Sequence, residues 1–175
     1  RQLLCRSKPT EALQKWANIL HFEEATEEKR TVLLDRSIKT LKNDQITIHE
    51  KRIAGEIAIE QLNSLLRIDA WLDSPDNSLV TAELLAETGN PLKAKSVLKQ
   101  SLENHPTHAE SIFLFARLTV HLQDNDNLVL IGKKLAKLAS RKSKSGVEAV
   151  RHMTLLHVLN PLSPSSLQKC VEFGK

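Results

Sequence analysis

The chain has 175 residues, of which 41% are hydrophobic and 26% charged, and its formal net charge is +4. This length suits one domain or one extended array with a real core, and no run of about 18 apolar residues that would span a membrane is present. The mild positive charge permits an acidic partner without requiring one. Cys5 and Cys170 lie near opposite ends of the chain and form no disulfide framework, so we interpret them as buried or free thiols.

Helical signals run through the first half of the chain, whereas strand signals are nearly missing. Tyr is absent, and no Asn-Gly or Asp-Gly turn joins alternating segments. The sequence predicts a helix over 9–20, because a proline is tolerated in the first helical turn. A second helix is predicted to begin within the acidic stretch 23–28 and to end near Asn43. A longer helix is predicted over 45–72, with two apolar sides that indicate packing between neighbours.

The second half of the chain is predicted to form pairs of helices. Short helices that are joined by short turns form antiparallel hairpins. Gly89 ends the first helix of the first pair, and Pro91 opens the second. Ser163 and Pro164 are expected to begin the final helix. The predicted pairs are 79–88 with 91–103, 109–122 with 127–140, and 147–159 with 164–173.

One segment carries a spaced set of small, large and turn-forming residues. Gly89 permits the turn between two helices, Ala94 is small enough for the helices to approach closely, and Pro106 ends the second helix. With Leu85 and Leu98 at their positions in this set, the segment resembles a tetratricopeptide repeat. That family has a period of about 34 residues.

The resemblance continues, with departures, into the next pair. A step of about 34 residues leads from Ala82 to Ala116 and from Ala94 to Leu128. Ser101 replaces a usual alanine, Leu128 stands where alanine is typical, and the predicted helix over 45–72 is too long for the family. An unrelated helical bundle is therefore the alternative architecture.

The resemblance implies an all-α fold, in which antiparallel helix pairs stack as a right-handed α-solenoid. Residues 1–74 are expected to form an N-terminal helical segment that contains a half-repeat and long helices. The half-repeat covers 9–20, where Pro9, Ala12 and Trp16 share the spacing of Pro91, Ala94 and Leu98. Residues 75–175 are expected to form tandem helix pairs in one continuous array.

The resemblance also implies a concave face, made by the first helix of each pair, that holds a peptide. A stacked array offers such a surface without an active site. The predicted function is therefore non-catalytic binding of an unidentified protein or peptide. Leu79 and Glu83 stand where a clamp for chaperone tails needs basic or amide groups, so that partner is not expected. The residues expected to line the concave face are Glu83, Glu87, Phe113, Arg117 and His121, with Arg151 and His152 from the last pair.

A second candidate surface is a basic stripe near the C-terminal end. No acidic residue occurs between Asn127 and Val147, and on a continued helix most of the basic residues would share one arc. The alternative function is an electrostatic adaptor that binds nucleic acid or an anionic membrane. A solvated helix face explains the same residues, and without aromatic neighbours for base stacking, nucleic acid is expected less than a protein partner. The basic stripe comprises Lys133, Lys134, Lys137, Arg141 and Lys144.

Sequence motifs of catalysis and of cofactor binding are missing. The chain has no Gly-rich phosphate loop, no nucleophile elbow and no HExxH motif. His105 and His108 lie in a predicted turn with no cysteine nearby, and we interpret them as two exposed turn residues rather than metal ligands. We therefore expect no enzymatic activity, no cofactor and no metal. The sequence indicates no particular compartment.

Overall fold

The computed structural model describes residues 9–22, 25–140 and 143–159. Within these ranges the chain forms eight α-helices, one short 3-10 turn and no strand, which confirms the all-α prediction. The helices are α1 (Pro9–Phe22), α2 (Glu27–Leu41), α3 (Ile48–Leu65), α4 (Pro75–Glu87), α5 (Pro91–Asn104), α6 (Ala109–His121), α7 (Asn125–Ala139) and α8 (Lys144–Leu159), with the 3-10 turn at Trp71–Asp73 between α3 and α4. The predicted final helix over 164–173 lies outside the described residues.

Side chains placed just before α2 and α3 explain where these helices begin. The Thr26 hydroxyl accepts a hydrogen bond from the Lys29 N–H at 3.4 Å. At α3, the Thr47 hydroxyl accepts from the Glu50 N–H at 3.2 Å, and the Glu50 carboxylate accepts from the Thr47 N–H at 2.9 Å. This reciprocal capping box satisfies two backbone donors that a helix start leaves without partners.

The long helix predicted over 45–72 is wrong at its C-terminal end. Helix α3 stops at Leu65, Ala70 adopts a left-handed conformation with φ of 63°, and the 3-10 turn follows. This break lets the Trp71 side chain fold into the core, where it is almost fully buried. The predicted second apolar side is largely solvent-exposed, at Ile48, Ile59 and Leu66.

Two helices begin three or four residues earlier than the sequence pattern predicts. Helix α4 starts at Pro75 rather than at 79, because the proline occupies its first turn, where its missing N–H costs no hydrogen bond. Helix α8 starts at Lys144 rather than at 147, and the Ser143 hydroxyl accepts a hydrogen bond from the Gly146 N–H at 3.2 Å.

Helix boundaries in the second half recur at a spacing of 34 positions. This spacing separates the first residues of α4 and α6, Pro75 and Ala109, and their last residues, Glu87 and His121. It also separates the first residues of α5 and α7.

The joints that end α4 and α6 also recur at this spacing. Gly89 has φ of 80° and Gln123 has φ of 51°. At each joint the left-handed residue donates its N–H to a carbonyl three residues back, and the next N–H reaches a carbonyl five residues back. The bonds are Gly89 N–H to Ala86 O (3.2 Å), Asn90 N–H to Leu85 O (2.7 Å), Gln123 N–H to Val120 O (3.0 Å) and Asp124 N–H to Thr119 O (3.0 Å).

Two hydrophobic clusters form the described core, and α4 contributes to both. Ala82 packs in the cluster that extends to α8, whereas Leu84 belongs to the cluster built by α1, α2 and α3. Each helix contacts its sequence neighbour, and α4 additionally contacts α2 and α6, while α6 contacts α8. Because α4 contributes to both clusters, the clusters do not divide the chain at residue 75. The boundary between 1–74 and 75–175 therefore stays a prediction.

Small residues occupy the buried positions that the repeat alignment assigns to them in the second half. Ala82 and Ala94 are both 0% exposed and lie in one cluster. The N-terminal half-repeat fails this comparison, because Ala12 is exposed and Leu13 is buried instead. Helix α1 therefore turns Leu13 and Leu20, two helical turns apart, toward its neighbours.

Candidate functional site

A groove of about 420 Å³ extends across residues from α4, α6 and α8 and reaches Lys42 at the end of α2. Of the seven residues expected on the concave face, five line this groove: Glu83, Glu87, Arg117, His121 and His152. Its other lining residues are Lys42, Ala86, Leu114, Ala116, Leu118 and Val120.

Helical spacing and helix contacts together position the charged groups of the groove. Glu83 and Glu87 are four residues apart on α4, and Arg117 and His121 are four apart on α6, so each pair shares a helix face. Because α4 contacts α6 and α6 contacts α8, these faces adjoin one another and His152. The groove thus combines carboxylates, a guanidinium and two imidazoles on a partly apolar surface.

An ion pair lies at the end of the groove that Lys42 borders. The Lys42 ammonium lies 3.0 Å from the Glu83 carboxylate, which connects the end of α2 to α4. Sequence analysis missed Lys42, and no local signal could have found it, because the contact of α2 with α4 is tertiary. Among the described residues, no ion pair joins Glu87 or Arg117 to another side chain, and both are exposed. These two groups can therefore pair with charges on a ligand.

His152 provides a neutral aromatic surface at the other end of the groove. Its ring stacks on Phe113 with a centroid distance of 4.8 Å and an interplanar angle of 16°. Burial lowers the pKa of His152 from its usual 6.5; Glu148 opposes this shift, and the positive charge of Arg117 adds to it. His152 is therefore mainly uncharged at pH 7, which suits contact with an apolar ligand group.

Phe113 and Arg151 do not line the groove. Phe113 is half-buried, packs against the core and supports the His152 ring from below. Arg151 forms an ion pair with Glu148 at 3.3 Å, and its side chain is 73% exposed. Neighbouring residues on a helix point about 100° apart, and on α8 it is His152, not Arg151, that lines the groove.

The basic stripe is not continuous. Helix α7 ends at Ala139 and α8 begins at Lys144, so Lys144 belongs to a different helix from Lys133, Lys134 and Lys137. The shared arc depended on one continued helix, whereas the chain forms two separate helices here, as the predicted ranges 127–140 and 147–159 have it. Arg141 lies outside the described residues.

Three lysines of α7 surround a small cavity of about 240 Å³, which we call the lysine cavity. Apolar side chains from α6 and α7 and the turn before α6 complete its lining. Its residues are Pro106, Thr107, Ile112, Leu130, Lys133, Lys134, Lys137 and Leu138.

His105 and His108 are not simply exposed turn residues, as the sequence interpretation had them. His105 Nε2 donates a hydrogen bond to the Asp73 carbonyl at 2.7 Å. His108 Nδ1 is 2.7 Å from the Ser111 hydroxyl, and its Nε2 is 3.2 Å from the Asp76 carboxylate. Both histidines therefore tie the turn between α5 and α6 to the segment where α4 begins.

In the described part of the chain, no cluster of three or more His, Cys, Asp or Glu side chains is arranged to hold a metal ion. None of the helices in that part has the length and apolar character to cross a bilayer. Comparison of the chain with family models, with curated proteins and with solved structures gave no match. The proposed function accordingly depends on the residues and geometry described above.

Proposed function

We propose that this chain is a non-catalytic, tetratricopeptide-like module that binds a segment of another protein in the groove between α2, α4, α6 and α8. The observation that carries the proposal is the convergence of Glu83, Glu87, Arg117, His121 and His152 on one groove. They come from three helices that are distant in sequence, and their charged and aromatic groups suit peptide recognition.

The recurrence of helix boundaries at 34 positions supports the repeat architecture within this proposal. The left-handed joints at Gly89 and Gln123 and the contacts of α4 with α6 support it further. In this architecture antiparallel helix pairs stack as a right-handed α-solenoid, and α2, α4, α6 and α8 form the concave layer. Such a layer presents an extended surface whose side chains are supplied by successive units.

The groove favours a ligand that carries both signs of charge and an apolar side chain. Arg117 can pair with a carboxylate and Glu87 with a basic group, because neither is engaged by another described side chain. The neutral His152 ring beside Arg117 offers contact area to an apolar or aromatic residue of the ligand.

A displayed peptide library provides the test. Peptides selected on the wild-type chain are measured by calorimetry against Arg117→Glu and Glu87→Lys, both at exposed positions that should leave the fold intact. A hydrogen bond to a charged group contributes about 1.5–3 kcal/mol, so each reversal should weaken binding roughly tenfold or more. Phe113→Ala is a poor choice, since Phe113 packs against the core and its loss would mix folding with binding.

The matched control is Lys133→Glu with Lys137→Glu, which reverses exposed charges away from the groove. Peptides that occupy the groove should bind this control like the wild-type chain. The proposed site would be contradicted if the peptides that this control leaves unaffected also kept their affinity for both groove variants.

The alternative function, an electrostatic adaptor for nucleic acid or anionic membranes, retains the three lysines of α7. Binding of duplex DNA or anionic vesicles that falls steeply with salt, and that is lost on reversal of Lys133 and Lys137, would favour this alternative.

A further inference from the structure

The lysine cavity has an apolar interior and positively charged side chains at its opening. Ile112 and Leu138 are almost fully buried, so they form its inner wall. Lys133 and Lys137 are exposed, which places their ammonium groups at the opening. Leu130 is 42% exposed and continues the apolar wall outward to the surface of α7.

The positive charge at this opening lacks a partner nearby. Among the described residues, no ion pair involves Lys133, Lys134 or Lys137. Helix α7 carries no acidic residue after Asp126 that could neutralise them along the same helix. A ligand with carboxylates is therefore complementary to the rim, and an apolar group is complementary to the interior.

We propose that the lysine cavity binds an acidic segment of another protein, anchored by one large apolar side chain and flanked by carboxylates that pair with the lysines. A volume of about 240 Å³ accommodates a single large side chain such as leucine or phenylalanine. This site is separate from the groove and does not depend on the proposed function.

The geometry favours a peptide over a nucleic acid or a membrane. Nucleic acid would use the lysines but leave the apolar interior empty, and the cavity lining offers no aromatic ring for base stacking. A helix that binds a membrane surface presents its apolar face outward, into the headgroup boundary. In the lysine cavity the buried apolar residues Ile112 and Leu138 lie behind the charged groups, so the interior fits a side chain that projects from a narrow segment.

The cavity and the groove occupy different sides of α6. Ile112 faces the cavity and Arg117 faces the groove, and five helical positions place these two side chains about 140° apart. A peptide in the cavity should therefore be insensitive to Arg117→Glu, and this separates a failure of one site from a failure of the other.

The test uses a labelled peptide in which one leucine stands between two pairs of glutamates, and a second peptide in which serine replaces the leucine. Binding to the whole chain is followed by fluorescence anisotropy at low salt. Burial of a leucine side chain should make the leucine peptide bind about tenfold more tightly than the serine peptide. Lys133→Glu with Lys137→Glu should remove binding of the leucine peptide.

A matched control reverses two exposed lysines of α5, Lys93 and Lys99, which do not line the cavity. This control should bind the leucine peptide within about threefold of wild type, since surface charge pairs contribute little. If the charge reversals in α7 disturb folding, Lys133→Gln with Lys137→Gln replaces them, with several-fold weaker binding expected.

Three results would overturn the proposal. Equal affinity for the leucine and serine peptides would show that the apolar interior takes no part. Binding that persists after the change of Lys133 and Lys137 would place the peptide elsewhere. Tighter binding of duplex DNA or phosphatidylserine vesicles than of the leucine peptide, lost in the same variant, would assign the lysines to the electrostatic adaptor.

Discussion

Gly89→Ala should destabilise the fold, and Gln123→Gly should stabilise it. Both positions hold the joint after a helix in a left-handed conformation, with φ of 80° at Gly89 and 51° at Gln123. A side chain at such a φ brings Cβ close to the following carbonyl oxygen, whereas glycine adopts it freely. The two joints make the same pair of backbone hydrogen bonds, so the residue type is the main difference between them.

At Gly89 the expected loss of stability on substitution by alanine comes from backbone strain alone. A Cβ added there meets no atom within 4 Å, so no steric clash contributes. The left-handed conformation costs a residue with a Cβ about 1–2 kcal/mol, partly offset because alanine restricts the unfolded chain. We therefore expect Gly89→Ala to lower the free energy of unfolding by about 1 kcal/mol, and Gln123→Gly to raise it by a similar amount.

Gly132 supplies a control with the same chemical change and the opposite expected sign. It lies inside α7 with no left-handed φ, and a Cβ there also meets no atom within 4 Å. Gly132→Ala should raise the free energy of unfolding by roughly 0.5–1 kcal/mol, because alanine favours the helix.

Urea unfolding followed by circular dichroism would measure the change in the free energy of unfolding for all three variants. In thermal melts, each kcal/mol should shift the Tm by about 2–4 °C. The reasoning would be refuted if Gly89→Ala and Gly132→Ala changed stability in the same direction. It would also be refuted if Gln123→Gly were destabilising.

Two further predictions follow from burial and charge. Ala94→Glu should lower the free energy of unfolding by several kcal/mol or prevent folding, because Ala94 is fully buried in the core. Ala12→Glu changes an exposed position and should leave that free energy within about 0.5 kcal/mol of wild type. Equal thermal melts for the two variants would refute this prediction. A hydrogen bond from the Lys95 side chain, and secondly one from Asn127, lower the pKa of the Asp124 carboxyl from 3.8 to about 2. The folded pKa is below the unfolded value, so the stabilisation by this carboxylate is fully present above about pH 4 and is lost as pH falls from 4 toward 2. Asp124→Asn should therefore show less acid dependence than wild type in urea titrations over this window, and an equal dependence would contradict the assignment.

Several local features of this chain could be read from its sequence. Pro91 at a helix start and Gly89 at a helix end act within one turn, so residue type alone indicated them. The left-handed conformation of Gln123 carried no such signal, because glutamine has no preference for it. The same conformation occurs 34 positions after Gly89 with the same pair of backbone hydrogen bonds, so it belongs to the geometry of the helix end and not to the residue type.

The sequence by itself determined the all-α class and most helix boundaries, because caps and helical periodicity operate within single helices. The residues proposed for the groove came instead from the resemblance to a repeat family. Only the tertiary structure decided where α3 ends, because the burial of Trp71 depends on distant neighbours. It likewise paired Lys42 with Glu83. Both features arise where segments distant in sequence approach one another, and no short stretch of sequence encodes such contacts.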